Sequence, residues 1–361
     1  MKLSQKNYKR VVVKIGSSLF YEGQNFQIAR FFEIVSAVSS LVREENKEVV
    51  IVSSGAIALG MELMKLKERP KDVSSLQALA ACGQSLLMEH YNGAFKKCAL
   101  NCAQLLLTWE DFNSRKRYLN AKNTLSKLLQ LGVVPIVNEN DTISTDEIKF
   151  GDNDRLSALV AALINADLLI MLSDVDGLLD KESKVVRIVT EINSSVRSLA
   201  CPTGKKTCVG GMITKLEAAK IAMDSGIPCV IANGRKSDII GAVLQDAAGS
   251  GTLFVSGEAG LAARERWIAF GSKPKGKIIV DSGAKSALFN KKSLLSVGVI
   301  AVEGNFEAGD VVSVTDKLGE EICRGKAGIS SRHLEKVKGN RFEKEIIHRN
   351  NLVILQGLSP S

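Results

Sequence analysis

The sequence of 361 residues lacks the two glycine-rich patterns that most often mark nucleotide sites. Neither the GxxxxGK[ST] pattern of a P-loop nor the GxGxxG pattern of a dinucleotide-binding domain occurs, so both classes are disfavoured. The sequence is also poor in histidine: the three present are far apart and form no HExxH pattern. A histidine-based metal site and a Ser-His-Asp triad are therefore not expected.

Long apolar runs are missing as well. None approaches the ~18 to 20 residues that a membrane-spanning helix needs, and the basic N-terminus has too short an apolar run for a signal peptide. The seven cysteines are odd in number and form no CxxC pair. This favours reduced thiols over disulfides or zinc, and predicts a cytoplasmic protein with no membrane partner.

The composition is that of a globular protein with two or three domains. Hydrophobic residues make up 45% and charged residues 24%, and the net charge is +9. A positive net charge weakly favours polyanions as binding partners, and both ATP and RNA are polyanions.

The first 255 residues alternate short β-branched runs with longer helical patterns. This is typical of an α/β fold with a mostly parallel sheet covered by helices on both faces. The predicted strands cover 10–16, 48–54, 100–108, 133–140, 167–174, 228–234 and 251–257. The clearest helical patterns cover 28–45, 74–95, 117–132 and 213–226, and the last two end in glycine as helix C-caps often do.

The C-terminal part follows a different pattern. Residues 1–257 are predicted as one domain, 258–275 as a polar linker and 276–361 as a small β-rich, barrel-like domain. In this last segment short strands recur about every 8 to 12 residues between Gly, Asn and Asp turns. The stretch 184–208 is less regular and is predicted as a hairpin plus a loop over the sheet edge.

Polar residues recur where the predicted parallel strands end. The strand ends read KIGSS (14–18), SSGA (53–56), NENDT (138–142) and SDVDG (173–177), and GGMITK (210–215) opens a helix. Ligands bind at the carboxyl ends of parallel strands, so these segments together favour a phosphate site. Gly-rich turns and lysines hold phosphate without a P-loop.

Two lysines and one acidic segment carry the charge of this predicted site. Lys14 lies inside an apolar strand, where a cation is costly to bury without an anion; the alternative is that it reaches out at the strand end. Lys215 lies just inside a helix start, where a cation opposes the dipole unless an anion binds. Asp152, Asn153 and Asp154 stand at the start of an apolar helix, and they either only cap it or cap it and also order a ligand.

A resemblance to the amino-acid kinase family, and within it to the glutamate 5-kinases, is carried by five segments. They are VVVKIGSS, IVSSGAIALG, VPIVNENDTISTDEIKFGDNDRLSALVA, LIMLSDVDGLL and GGMITKLEAAKIAMDSGIPCVIANG. The tail GKIIVDSGAKSAL…FEAGDVVSV…ICRGKAGISS resembles a PUA domain. The resemblance covers about residues 8–355, and the NENDT…GDND pair with that tail is its most specific part.

The resemblance implies an amino-acid kinase fold with a PUA-like barrel. It also implies transfer of the γ-phosphate of ATP to the side-chain carboxylate of L-glutamate, the first step of proline synthesis. The chemistry agrees, because a carboxylate with a pKa near ~4.3 is already ionised at neutral pH and needs no general base. Mg²⁺ would bridge the β- and γ-phosphates with mostly water and phosphate ligands, without a dedicated protein metal site.

The resemblance also implies roles for single residues. Lys14 and Lys215 would clamp the transferring phosphoryl group, and Asp154 would orient both lysines. The residues implied to hold the nucleotide are Lys14, Gly16, Ser173, Asp174, Gly210, Gly211, Met212 and Lys215. The residues implied to bind glutamate or shape its pocket are Ser54, Asn138, Asp141, Asp152 and Asn153, with Asp141 suited to its ammonium and Ser54 and Asn153 to a carboxylate.

The sequence departs from the family pattern at two places. Cys208 and Val209 stand where the family usually has Gly and Thr before the second lysine. Valine has no hydroxyl and disfavours positive φ, so weaker ATP binding is an expectation. Ser173 stands where Thr is common and keeps the hydroxyl.

Two alternative hypotheses stay open on the sequence. Another amino-acid kinase, acting on aspartate or UMP, fits the general pattern but not the NENDT and GDND stretches. An RNA-binding or regulatory protein fits the basic tail, but its aromatic residues (Phe289, Phe306 and Phe342) offer no evident stacking platform, so nucleic acid is not expected as the main partner. The resemblance further implies a homo-oligomer and proline as a feedback inhibitor.

Overall fold

The computed structural model describes residues 8–22, 25–143, 152–200, 211–255, 263–271 and 274–355. The chain divides into two compact units. Unit 1 comprises Met1–Asp111 and Arg115–Gly260, and unit 2 comprises Phe112–Ser114 and Leu261–Ser361. No helix in the described ranges is both long enough and apolar enough to cross a lipid bilayer.

Unit 1 is built on one eight-stranded sheet with the order β5-β6-β4-β1-β7-β9-β10-β8, and β2 and β3 form a separate hairpin. Only the β9–β10 pairing of that sheet is antiparallel in the described residues, which confirms the predicted mostly parallel sheet. The strands are β1 (Arg10–Ile15), β2 (Tyr21–Glu22), β3 (Asn25–Phe26), β4 (Glu48–Ser53), β5 (Asn101–Leu107), β6 (Val133–Glu139), β7 (Leu168–Ser173), β8 (Ile188–Val189), β9 (Cys229–Asn233) and β10 (Gly251–Phe254).

Helices follow most of these strands. The four predicted helical patterns are all helical, and Gly132 and Gly226 follow two of them with φ of +69° and +77°. The short helix α7 in the irregular stretch 184–208 is not predicted from the sequence. The helices between residues 28 and 250 are α1 (Ile28–Arg43), α2 (Ala56–Leu63), α3 (Val73–Lys97), α4 (Trp109–Asn113), α5 (Arg115–Gln130), α6 (Asp152–Ile164), α7 (Ser194–Leu199), α8 (Met212–Asp224), α9 (Ile239–Gln245) and α10 (Ala247–Ser250).

The alternation of side chains along β1 decides which residues face which helices. Val11, Val13 and Ile15 belong to the core that includes residues of α1 and α3. Because successive side chains of a strand point to opposite faces, Val12 and Lys14 lie on the other face. Helix α6 packs against β1, and α6 begins with the acidic segment, so Lys14 and that segment are brought together.

Unit 2 is β-rich, as predicted. Its five-stranded sheet has the order β12-β11-β13-β14-β15, with only the β11–β13 pairing parallel among the described pairs. The described residues 263–271 of the predicted linker are helical. The elements are β11 (Gly276–Val280), β12 (Val299–Gly304), β13 (Val311–Thr315), β14 (Glu321–Lys326), β15 (Leu352–Ile354), α11 (Ala263–Arg266), α12 (Ser282–Phe289) and α13 (Ser331–Val337).

The described cysteines are not joined in disulfides. Free thiols are present at Cys82, Cys98, Cys102, Cys229 and Cys323. Cys201 and Cys208 lie outside the described residues.

Candidate functional site

A cavity of about 340 Å³ opens in unit 1 where β1, β4, β6 and β7 end. This volume is at the lower end of small-molecule sites in proteins. The cavity brings together most of the residues that the sequence predicts for the site. Those that line it are Lys14, Gly16, Ser54, Asn138, Asp141, Asn153, Asp154, Ser173, Asp174, Gly211 and Lys215.

Two lysines share one buried carboxylate at the base of this cavity. Lys14 Nζ lies 2.6 Å from Asp154 Oδ1, and Lys215 Nζ lies 3.1 Å from Asp154 Oδ2. The three side chains are 7%, 9% and 1% exposed for Lys14, Lys215 and Asp154. Lys14 therefore does not reach out to solvent, and the anion that Lys215 needs at its helix start is Asp154.

Two further hydrogen bonds hold this arrangement in place. The Thr214 hydroxyl donates to Asp154 Oδ2 at 2.8 Å, and Lys215 Nζ also donates to the Gly211 carbonyl at 3.1 Å. Thr214 is part of the GGMITK segment but is missing from the residues predicted for the site. Its place one residue before Lys215 in the first turn of α8 could have indicated it.

Burial and neighbouring opposite charges shift the pKa values of Asp154 and Lys14 in opposite directions. Burial alone would raise the pKa of Asp154, but the charges of Lys14 and Lys215 outweigh it, and the pKa lies below its ordinary value. Burial lowers the pKa of Lys14, which the charge of Asp154 offsets only in part while the nearby Lys215 adds to the decrease. With all three groups ionised the cluster carries one excess positive charge, which favours an anion beside it.

A second polar cluster lies at the N-terminal end of α6. Asn153 Nδ2 donates to Ser54 Oγ at 2.8 Å and to Asn138 Oδ1 at 2.9 Å. Asn138 Nδ2 in turn donates to Gln84 Oε1 at 2.8 Å. Both hydrogens of Asn153 Nδ2 are thus used within the protein, so its predicted donation to a substrate carboxylate requires one of these bonds to break.

The side chains of Asn153 and Asp154 serve the site rather than the helix. Asn153 Nδ2 donates to site residues, and the Asp154 oxygens accept from Lys14, Lys215 and Thr214. Neither therefore fits the simple capping alternative.

Glycine shapes two turns of the cavity. Gly55 joins β4 to α2 with φ of +117°, a conformation that other residues rarely adopt, and so places Ser54 at the cavity wall. Gly16 donates its N–H to the Leu172 carbonyl at 3.2 Å. A Cβ at Gly16 would lie 3.6 Å from Lys14 Nζ. Gly16 thus leaves space beside Lys14, and its N–H is used within the protein, so its implied role in holding the nucleotide does not rest on that N–H.

Arg69 lines the cavity and is missing from the sequence prediction. Burial lowers the pKa of Arg69, and the nearby charge of Asp141 opposes that change. Arg69 lies in the charged stretch KLKERPKD between α2 and α3, and nothing in that stretch distinguishes it from its neighbours. Opposite charges, those of Arg69 and Asp141, therefore lie close together in the lining of the cavity.

Some predicted residues are not placed in the cavity. Gly210, Cys208 and Val209 lie outside the described residues, as does the side chain of Asp152. Met212 begins α8 and is not among the described residues that line the cavity.

The carboxylates near the lysines do not form a metal cage. No group of three His, Cys, Asp or Glu residues suited to a metal ion occurs in the described part of the chain. Asp154 is bound by the two lysines, whereas Asp174 is exposed and accepts a 3.1 Å hydrogen bond from its neighbour Ser173. This donor set fits a Mg²⁺ ion that arrives on phosphate and keeps water ligands.

Comparisons with known proteins agree with both units. A profile of the amino acid kinase family matches residues 9–233, and a PUA domain profile matches 276–349. The chain is 43% identical over 366 residues to the glutamate 5-kinase of Thermoanaerobacter sp. (strain X514), covering 96% of the chain and 98% of the relative. It is 45% identical over 368 residues to that of Dictyoglomus thermophilum, covering 97% and 98%. The solved carbamate kinase from Giardia lamblia bound to AMP-PNP aligns with a TM-score of 0.48 and 19% identity, covering 70% of this chain and 99% of that one.

Proposed function

Because the chain belongs to the amino acid kinase family, and within it to the glutamate 5-kinases, we propose that it transfers the γ-phosphoryl group of ATP to the side-chain carboxylate of L-glutamate. The products are ADP and L-glutamyl 5-phosphate, and the reaction is the first step of proline biosynthesis. This places the chain among the phosphotransferases that use a carboxyl group as acceptor.

The observation that carries the proposal is the pair of buried lysines on one carboxylate. The attacking carboxylate and the γ-phosphoryl group are both anions, so their approach is the main obstacle to the reaction. Lys14 and Lys215 place two ammonium groups at one point, held there by Asp154. Groups fixed in this way neutralise the charge of the transition state without reorganisation at the moment of reaction.

The reaction then follows from positioning and charge. An oxygen of the ionised γ-carboxylate attacks the γ-phosphorus, the bond from that phosphorus to the β–γ bridging oxygen breaks, and ADP leaves with the electron pair. No proton moves, which agrees with a cavity whose described lining contains no histidine. Mg²⁺, when bound with ATP, would supply further charge neutralisation on the phosphates.

The polar end of the cavity suits a zwitterionic amino acid. We place the ammonium of glutamate at Asp141 and its α-carboxylate near Arg69, because both line the cavity with opposite charges. Ser54 also lines the cavity and contributes a hydroxyl. The nucleotide is placed at the opposite side, near Gly16, Ser173 and Asp174, with Gly211 beside Lys215.

The acceptor is identified by measuring ADP release from Mg-ATP with L-glutamate, L-aspartate, UMP or no acceptor. We expect turnover with L-glutamate at least about 100-fold above the others, since the cavity must place one carboxylate at the lysines and the rest of the molecule at Asp141. An Asp154→Asn variant prepared in parallel controls for contaminating kinases. If aspartate or UMP is turned over faster than glutamate, that compound is the substrate and the proposal is wrong. No turnover with any acceptor, together with tight RNA binding, would favour an RNA-binding function.

Mg²⁺ is expected to bind with the nucleotide and not to the free protein. Mg²⁺ alone should leave Tm within about 1 °C, whereas Mg-ATP should raise it, since a ligand stabilises the state it binds. A thermal-shift titration at fixed ionic strength checks this, with Ca²⁺ as the comparison cation. A large shift with Mg²⁺ alone would show a protein metal site and contradict the proposal.

Three other features of the family are proposed for this chain. They are inhibition by proline at the glutamate end of the cavity, assembly into a homo-oligomer, and a cytoplasmic location supported by the cysteine pattern. Glutamate kinetics in the presence of proline test the inhibition, and measurement of the molecular mass in solution tests the homo-oligomer.

A further inference from the structure

Gln84 is a polar residue on the buried face of α3. Its neighbours on that face include Leu76, Ala80 and Leu87, and it is only 9% exposed. Its Oε1 accepts the 2.8 Å hydrogen bond from Asn138 Nδ2, but in the described part of the chain its Nε2 is buried without a partner. Burying an amide nitrogen without a hydrogen-bond partner costs free energy, and an apolar side chain would avoid this cost. The glutamine is therefore expected to serve a purpose other than packing.

One backbone group fixes the orientation of the amides between Gln84 and the cavity. The Glu139 N–H, which can only donate, donates to Asn138 Oδ1 at 2.9 Å. Asn138 must therefore present Nδ2 to Gln84 Oε1 and Oδ1 to Asn153. Since Asn138 Oδ1 only accepts, Asn153 must present its Nδ2.

The same logic sets the direction of the Ser54 hydroxyl. Asn153 Nδ2 donates to Ser54 Oγ at 2.8 Å, so this oxygen accepts from Asn153. The hydroxyl hydrogen of Ser54 is then left to donate in another direction. Ser54 lines the cavity, where a carboxylate is a suitable acceptor.

We propose that Gln84 is a positioning residue: its Oε1 holds Asn138 in the relay Gln84–Asn138–Asn153–Ser54, whose direction the Glu139 N–H sets, so that Ser54 donates its hydroxyl hydrogen to a carboxylate of the amino-acid substrate. The inference rests on the proposed function, since it needs an amino acid in this cavity. Gln84 touches no substrate; it acts through Asn138. Without its Oε1, Asn138 Nδ2 has no acceptor at this position, and the Asn138 side chain is held only through its Oδ1.

The test compares two replacements of similar length. Gln84→Met removes the acceptor, and Gln84→Glu keeps an oxygen that accepts from Asn138 Nδ2. We expect Gln84→Met to raise the KM for L-glutamate about 10-fold with the KM for ATP changed less than about twofold, and Gln84→Glu to keep the KM for L-glutamate within about threefold. Steady-state kinetics with each substrate varied separately measures both.

Tyr91→Phe is the matched control. Tyr91 lies on the same helix, is fully buried, and donates to Ser53 Oγ at 2.8 Å without entering the relay. Its loss removes a buried hydrogen bond from α3, and the KM for L-glutamate should stay within about twofold. Circular dichroism and Tm show whether each variant is folded.

The outcomes separate this inference from the proposed function. A folded Gln84→Met variant with unchanged KM for L-glutamate, in a wild type that uses glutamate, overturns the relay alone. An equal rise of both KM values in Gln84→Met, or the same rise in Tyr91→Phe, would show a structural role only and also overturn it. A wild type that does not use glutamate overturns the relay together with the proposed function.

Discussion

Asp154→Asn is expected to lower kcat by about 10³-fold with a much smaller change in the KM for ATP. The carboxylate holds Lys14 at 2.6 Å and Lys215 at 3.1 Å, and asparagine offers one neutral oxygen in place of two charged ones. Removal of one preorganised electrostatic group typically costs 10²- to 10³-fold in kcat, and here two lysines lose their common partner. Single-turnover measurement of ADP formation separates the chemical step from binding.

The same variant is expected to be less stable at neutral pH. Breaking a buried ion pair from one side costs about 3–5 kcal/mol because a buried charge is left without its partner. The pKa of Asp154 is lowered in the folded protein, so the stability it contributes is present above the unfolded value near ~3.9 and is lost as pH falls through the folded value. The difference in free energy of unfolding between wild type and variant should therefore shrink on acidification below about pH 4.

Glu48→Gln is the matched control for Asp154→Asn. Glu48 forms a 2.6 Å ion pair with Arg10 at the opposite end of β4 from Ser54, and both side chains are partly exposed. Such pairs contribute about 1 kcal/mol or less, and kcat should stay within about twofold. If Asp154→Asn retained wild-type kcat, or if Glu48→Gln lost as much, the role of Asp154 as the centre of the site would be wrong.

The sequence could predict the lysine cluster because each partner has a local signal. Lys14 interrupts an apolar strand, Lys215 follows a Gly-Gly helix start, and Asp154 opens an apolar helix. The meeting of strand ends at one sheet edge then predicts a common site for these segments, and the resemblance to the amino-acid kinases implies that Asp154 orients both lysines. The mostly parallel sheet follows from the same alternation of apolar strands and helices.

Other site features depend on tertiary packing and have no such signal. Gln84 is separated from Asn138 by 54 positions, and only the docking of α3 beside β6 shows that they bond. Arg69 is one of many charged residues in its loop, and the use of the Gly16 N–H by Leu172 depends on the β1–β7 pairing. Composition and periodicity describe one element at a time, so contacts of this kind cannot be predicted from them.

The close packing of α2 on α3 leads to the second large expected effect. A Cβ at Gly83 would lie 1.8 Å from the Ala56 carbonyl oxygen and 2.4 Å from the Gly60 nitrogen, both backbone atoms that cannot move without shifting α2. Gly83→Ala is therefore expected to lower the free energy of unfolding by about 3 kcal/mol, at the upper end of overpacking costs. It should also raise the KM for L-glutamate, because Ala56 and Ile57 of α2 line the cavity.

Gly93→Ala on the same helix isolates the steric cause. Gly93 is exposed and a Cβ there meets no atom within 4 Å, so this change should stabilise the protein by about 0.5–1 kcal/mol through helix propensity alone. Urea unfolding and glutamate kinetics on both variants provide the comparison. Opposite signs for the two alanines would show that contact with Ala56 decides the result. Equal stabilisation would mean that α2 is free to move, and that the wall of the glutamate pocket is not set by this helix contact.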